Sequence, residues 1–184
     1  IEMAKGLIVL TGEVGTGKST ALRWIIRRLD SSVLAAYIVN PHLSIEEFYH
    51  HIAEMLGITE WSNKTELLNE MAKLLEDRHR RGLRTVLIVD EAHELPDEVL
   101  EEIRLLLNLE SDNAKHLQII LTGQPELTET LRRPSLRQLK QRIVLRCNLQ
   151  PFSESDTLSY INSRMDVAGM ADQKVFTPEL VQEI

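Results

Sequence analysis

Gly12-Glu13-Val14-Gly15-Thr16-Gly17-Lys18-Ser19 completes the pattern G-x-x-x-x-G-K-[ST], and no other feature restricts the fold of this chain so far. The segment follows an apolar run, Leu7-Ile8-Val9-Leu10-Thr11, and opens a helical stretch from Thr20 to Ile26. That strand–loop–helix setting is the context the pattern requires. Gly12, Gly15 and Gly17 let the backbone wrap around phosphates, with N–H groups gathered at a helix N-terminus where the dipole favours anions. Lys18 is expected to reach the β- and γ-phosphates, and the Ser19 hydroxyl to ligate Mg²⁺. Glu13, Val14, Thr16 and Thr20 complete a nucleotide-binding segment, and ATP with Mg²⁺ is the expected ligand pair.

Such a loop needs a parallel sheet behind it, and the remaining sequence supplies one. Short apolar runs at Leu7–Thr11, Val33–Val39, Thr85–Asp90, Leu117–Thr122 and Ile143–Cys147 predict five strands. Helical patterns lie between them, near 17–30, 44–56, 64–82, 96–109 and 134–142. Their breaks fall at Asn40-Pro41, Gly57, Gly82 and Pro96. Within 44–56, Ile45, Phe48, Ile52, Met55 and Leu56 recur at helical spacing and predict a core-facing stripe. Past Pro151 the pattern changes. Ser153-Glu154-Ser155-Asp156 reads as a helix start, 154–168 as an amphipathic helix ended by Gly169, and Thr177-Pro178-Glu179 as another start. The expected organisation is an α/β nucleotide-binding core over 1–149 and the beginning of a small helical lid over 151–184.

A second motif gives the loop its chemistry. Val86-Leu87-Ile88-Val89 leads into Asp90-Glu91, an apolar strand ending in two carboxylates behind a complete phosphate loop. Asp90 is expected to hold Mg²⁺ with Ser19. Glu91, beyond the strand end, is placed to orient and deprotonate the attacking water. Asp90-Glu91-Ala92-His93 also spells a helicase signature, but that machine needs two tandem motor domains and 184 residues hold one. His93 reads as a loop residue near the site. Thr122, at the tip of the fourth strand, is expected to sense the γ-phosphate or help place the water. Asn40 ends the second strand in the same way and is a candidate brake on Glu91.

Between Arg132 and Arg146 stand six basic residues and no acidic ones: Arg132, Arg133, Arg137, Lys140, Arg142 and Arg146. An arginine between the fourth and fifth strands, at a domain edge, can reach a phosphate held by a neighbouring subunit. Arg142 is the first choice for such a finger and Arg137 the second. The others could contact nucleic-acid phosphates. The net charge of −7 argues against indiscriminate nucleic-acid binding by the whole surface. A second basic cluster, Arg78-His79-Arg80-Arg81 with Arg84, reads as surface.

Other chemistries find little support. The single cysteine, Cys147, excludes an internal disulfide and suits a reducing compartment. Six histidines are scattered without the spacing of a zinc site, and adjacent His50-His51 read as helix surface or core edge. No run approaches the ~18 apolar residues of a membrane span and no signal segment opens the chain, so no membrane contact is expected of it. With Ile1 six residues from the first strand and an end inside a helical pattern, the chain reads as a piece of a longer protein.

Together, Gly-Glu-Val-Gly-Thr-Gly-Lys-Ser, Val-Asp-Glu-Ala-His, Leu-Leu-Asn-Leu-Glu (106–110), Ile-Ile-Leu-Thr-Gly-Gln-Pro-Glu-Leu (119–127) and Leu-Arg-Gln-Leu-Lys-Gln-Arg-Ile (136–143) resemble the ExeA/GspA-type ATPases of bacterial general secretion pathways. These are AAA+ proteins of the P-loop NTPase class. The resemblance implies a five-stranded parallel sheet flanked by helices with a helical lid, Mg²⁺-dependent ATP hydrolysis, and nucleotide-dependent homo-oligomers. It also implies a trans-acting arginine finger just before the fifth strand, which falls on Arg142. For the function it implies a cytoplasmic ATPase domain that works on a secretion-system protein partner during secretin assembly, in a full-length protein anchored in the inner membrane. Related ATPases with similar cores serve transposition and bind DNA, so a DNA-associated ATPase of the transposition or replication-initiator type is an alternative expectation, as is a slow ATP-dependent regulatory switch. The basic stretch at 132–146 keeps DNA as an alternative partner.

Overall fold

A computed structural model of the chain describes residues 6–39, 42–109 and 116–170. Asn40, Glu110 and the helix start at Thr177 lie outside the described residues. The chain divides into two compact units, 1–149 and 150–184.

The first unit is a five-stranded, all-parallel sheet: β1 (Leu7–Gly12), β2 (Val33–Ile38), β3 (Arg84–Val89), β4 (Leu117–Gly123) and β5 (Ile143–Leu149). Their order is β2-β3-β4-β1-β5. Successive residues along each strand face opposite sides; β1, β3 and β4 are buried on both, which is why they read as unbroken apolar runs, whereas β5 at one edge is largely exposed. Leu7, Val9, Leu87, Val89, Ile119 and Leu121 join the larger core, together with helices α2 (Ile45–Leu56), α3 (Lys64–Arg80) and α4 (Asp97–Leu106). Ile8, Val86, Ile88 and Ile120 face the other way, with Leu22 of α1 (Lys18–Arg28).

Local chemistry sets the helix ends. Ser44 starts α2 with a reciprocal capping box, its hydroxyl accepting from the Glu47 N–H while the Glu47 carboxylate accepts from the Ser44 N–H. Gly57 closes α2 in the left-handed region at φ 74°. Asn63 caps α3 through the Glu66 N–H. Pro96 stands one residue before α4, as its N-cap, instead of inside the first turn.

The structure adds two short elements where the sequence reads as loop: a 3₁₀ turn at Ala92–Glu94 and the single-turn α5 (Glu126–Thr130). The expected helix over 134–142 resolves into a 3₁₀ turn, Pro134–Leu136, followed by α6 (Arg137–Gln141). The α2 stripe is also corrected. Ile45 is half-exposed, and Tyr49 takes a buried place that its hydroxyl suits. That hydroxyl donates to Glu102 of α4 at 2.7 Å, and Lys64 of α3 donates to the same oxygen at 2.6 Å. One buried carboxylate thus clasps three helices.

Arg78 is likewise more than surface. Its Nε donates to Thr85 Oγ1 at 3.0 Å and its Nη2 to the carbonyls of Arg84 and Ser32, at 2.9 and 3.3 Å, bracing the start of β3 against the turn before β2. In the second unit, α7 (Glu154–Val167) begins at a Ser153–Asp156 capping box, and Phe152 lies 5.6 Å from Tyr160, ring to ring.

Candidate nucleotide site

The segment 12–20 follows the C-terminal end of β1 directly. In an open parallel sheet the strand C-termini are where ligands bind, at the point where successive connections leave in opposite directions. Here β1 is flanked by β4 on one side and β5 on the other, while β2 and β3 lie beyond β4. Gly17, at φ 84°, is the N-cap of α1, a backbone that L side chains rarely adopt. At Gly12 the constraint is space: a Cβ there would lie 2.7 Å from Thr16 Oγ1 and 2.8 Å from the Leu149 carbonyl oxygen. The first turn of α1 carries no acidic residue, so nothing opposes the anion preference of its N-terminus.

Lys18 is buried, and its Nζ donates to the loop carbonyls of Gly12 and Glu13 at 2.7 and 2.9 Å. These bonds hold the ammonium inside the loop curve. Gly15, Gly17, Lys18 and Ser19 line an open cleft of about 370 Å³, whose other lining includes Glu91 and Gln124. Glu13 and Thr16 shape the loop from outside: the Thr16 hydroxyl and N–H both donate to the Glu13 carbonyl. Val14 and Thr20 also border the cleft.

Asp90 stands one residue past the end of β3 and is the hub of the site. Its carboxylate accepts from Ser19 Oγ at 2.9 Å, from Tyr37 Oη at 2.9 Å, from Thr122 Oγ1 and from the Glu91 N–H at 3.0 Å. Burial pushes the Asp90 carboxyl up, but the bonds from Thr122, Tyr37, Ser19 and the Glu91 N–H outweigh it and hold the group below the usual carboxylate range. The same geometry, burial first and then the Asp90 carboxylate, pushes the Tyr37 phenol up to about 12.

Glu91 is the one non-glycine residue at positive φ among those described, at 52°. Such a backbone costs on the order of 1 kcal/mol and persists where the surroundings dictate it. Glu91 lines the cleft. Oε2 of Glu91 is buried and accepts no hydrogen bond. His93 Nδ1 lies 3.4 Å from it, yet that nitrogen already accepts the Gln124 N–H.

Whether these residues suit ATP with Mg²⁺ can be judged from the donor set. Ser19 and Asp90 present oxygens in mutual contact, the hard ligands that Mg²⁺ takes when phosphates and water supply the rest. No group of three or more His, Cys, Asp or Glu side chains among the described residues could hold a metal unaided. The cleft, with Lys18, Ser19 and Glu91 on its lining, fits the pair.

Thr122 departs from its expected place. It is fully buried, its hydroxyl is committed to Asp90, and it does not line the cleft. Arg142 and Arg137 are not brought to the loop either. Ile143 pairs with Leu7 and Leu149 with Gly12, so Arg142 sits at the opposite end of the sheet, roughly 20 Å away along six residues of strand. Arg142 Nη2 donates to Asn108 at 2.9 Å, and Arg137 is exposed on α6. Arg133 pairs with Asp97 at 2.6 Å. Sequence reasoning missed Tyr37 and Gln124. Nothing in a strand's composition marks Tyr37, whereas Gln124 stood in view, two residues past Thr122.

Comparison with known proteins extends this geometry. A family model described as an AAA domain matches residues 1–131. General secretion pathway protein A of Aeromonas hydrophila is 42% identical over 183 residues, which is 97% of this chain and 33% of that protein. The chain therefore spans about a third of that relative. Among solved structures, Cdc6p from Pyrobaculum aerophilum superposes with a TM-score of 0.68 at 19% identity, over 96% of this chain and 46% of that one. The ADP form of the Aeropyrum pernix ORC2 protein gives 0.70 at 15% identity, over 95% and 49%. At such identities the likeness is one of fold.

Proposed function

The chain belongs to the AAA domain family, and from that premise we propose that it is a Mg²⁺-dependent ATPase domain that works in head-to-tail oligomers. The observation that carries this reading is the convergence of Lys18, Ser19 and Glu91 on one cleft, with Asp90 bonded to the Ser19 hydroxyl.

ATP with Mg²⁺ brings the phosphoanhydride and neutralises charge on its phosphates when bound. The chain's own residues do the rest by position and electrostatics. The N–H groups of 15–19 and Lys18 hold the phosphates, with Lys18 exchanging a loop carbonyl for a phosphate oxygen. Ser19 and Asp90 hold the metal, while Tyr37 and Thr122 keep the Asp90 carboxylate in one orientation. Glu91 takes a proton from water as the water oxygen bonds to the terminal phosphorus and the bridge to the β-phosphate breaks, leaving ADP and phosphate.

Arg142, at the far end of the sheet from its own loop, acts on the loop of a neighbour, with Arg137 as the second candidate. A contact of that kind is heterologous and builds rings or filaments. On this reading the segment 151–184 is the beginning of a lid, of which α7 is the described helix.

The secretion assignment rests on the 42% identity to general secretion pathway protein A. On that reading the domain lies on the cytoplasmic side of the envelope and acts on a protein partner during secretin assembly. No helix among the described residues is long and apolar enough to cross a membrane.

The test is ATP turnover against protein concentration. Rate per subunit should rise as oligomers form. A constant rate per subunit, in a range where assembly is seen, contradicts the shared site. Stimulation by DNA with steep salt dependence would favour a DNA-associated motor instead.

A further inference from the structure

One face of α1 stands apart from the rest of the surface. Arg23, Trp24, Arg27 and Arg28 share that face at helical spacing and are all exposed, Trp24 at 56%. The Arg28 guanidinium lies over the Trp24 ring, 3.9 Å from its centroid. Elsewhere arginines pair with carboxylates: Arg80 with Glu76, Arg81 with Asp77 and Arg104 with Glu101. Arg23, Arg27 and Arg28 have no such partner among the described residues, and α1 itself contains no Asp or Glu. An exposed tryptophan among arginines, with no exposed lysine beside it, has the composition of a protein contact. The net charge of −7 works against a nucleic-acid occupant and towards an acidic protein surface.

The chain itself carries such a surface. On α2, Glu46, His50 and Glu54 recur four residues apart and line a groove of about 470 Å³. Trp61 lines the same groove, its ring 4.6 Å from that of His50. Ile58 and Thr59 are shared with a second groove, of about 460 Å³, that adds Glu60 and Glu70. Glu70 pairs with Lys73, whereas Glu46, Glu54 and Glu60 have no cationic partner among the described residues. Ridge and groove belong to opposite faces of the sheet. Leu22 of α1 packs with Ile8, Val86 and Ile88, and α2 and α3 pack on the side of Val9 and Leu87. One chain cannot bring its own ridge to its own groove.

We propose that the α1 ridge of one copy docks in the α2–α3 groove of a second copy, with Trp24 entering beside Trp61 and the arginines meeting Glu46, Glu54 and Glu60. The contact is heterologous, so it repeats from copy to copy. Neither surface includes the phosphate loop or β5. The contact therefore forms without nucleotide and is separate from the one that carries Arg142 to a neighbouring loop.

Sedimentation velocity without nucleotide tests it on the wild type, a ridge reversal (Arg27→Glu/Arg28→Glu) and a groove reversal (Glu54→Arg/Glu60→Arg), each first shown by its thermal melt to be folded. In low salt the wild type should associate as its concentration rises, and come apart as salt screens the charges. Each reversed protein alone should stay monomeric, since its ridge and groove then carry the same sign. An equal mixture of the two should associate again, because each ridge opposes the other protein's groove in sign. Trp24→Ala should weaken association about tenfold or more, the loss expected of an anchor residue. Arg142→Ala should leave it unchanged, so failure of the finger and failure of this contact are told apart. A wild type that stays monomeric in low salt overturns the proposal. So does either reversed protein that associates as the wild type does, or a mixture that remains monomeric. A monomeric wild type that binds duplex DNA, and loses it in the ridge reversal, would give the ridge to nucleic acid and overturn the contact equally.

Discussion

Tyr37 of β2 donates its hydroxyl to Oδ2 of Asp90 over 2.9 Å, the same carboxylate oxygen that Ser19 of the phosphate loop reaches at 2.9 Å. One edge strand of the sheet is thereby joined to the carboxylate that the loop after β1 contacts. Replacing Tyr37 with Phe removes one donor and leaves the carboxylate three others. Stability should fall by about 1 kcal/mol, the usual net value of one hydrogen bond, with nucleotide affinity largely kept. Urea unfolding beside nucleotide titration checks this. A loss several times larger would mean that Tyr37 holds more than Asp90.

The clasp on Glu102 should matter more for stability. Glu102→Ala leaves the buried Tyr49 hydroxyl without its acceptor and should cost about 1–3 kcal/mol. Lys64→Ala should cost less, about 1 kcal/mol or under, because the lysine is partly solvated and such pairs are worth little. Thermal melts of the two variants give the order directly, and the reverse order would contradict the assignment of Tyr49 as the partner that counts.

Acid should loosen α2 from its N-terminal end. The Ser44 N–H and hydroxyl hold the Glu47 carboxyl below its ordinary value of 4.5. A carboxyl whose folded value is depressed contributes stability that is present above the unfolded value and lost as pH falls through the folded one. Melting temperature followed from about pH 6 to about pH 3 should therefore drop less steeply in Glu47→Gln than in the wild type. Parallel curves would remove the capping box as a source of acid sensitivity.

Arg142 is the test of a site shared between subunits. Arg142→Ala should lose turnover by about 10³-fold, the lower range for a finger arginine. Mixing it with Glu91→Gln subunits should restore part of the rate, because some interfaces then pair an intact Glu91 with an intact Arg142. Mixed oligomers no faster than either variant alone would count against action in trans.

Much of this was legible in the chain. Strands β1, β3 and β4 read as apolar runs because the middle of the parallel sheet is covered on both faces, and Gly12–Ser19 announces the loop at the end of β1. The errors lie where short range gives no signal. One turn of helix at Glu126–Thr130 is too brief to show a period, and a stripe drawn on spacing alone chose Ile45 over Tyr49. Thr122 reads as a γ-phosphate sensor or a water-placing group because it ends a strand. Its partner, Asp90, is 32 residues away in sequence and becomes visible only when β3 and β4 lie side by side. Tyr37 was missed for the same reason.

The most direct measurement on the central claim is Mg²⁺-dependent ATP turnover by wild type and Glu91→Gln, with nucleotide affinity determined on both. The wild type should hydrolyse ATP. Glu91→Gln should bind ATP as well as the wild type does and lose turnover by about 10²-fold or more, the share of a positioned base. Equal rates in the two proteins would contradict Glu91 as the base, and with it the account of this cleft as a hydrolytic site.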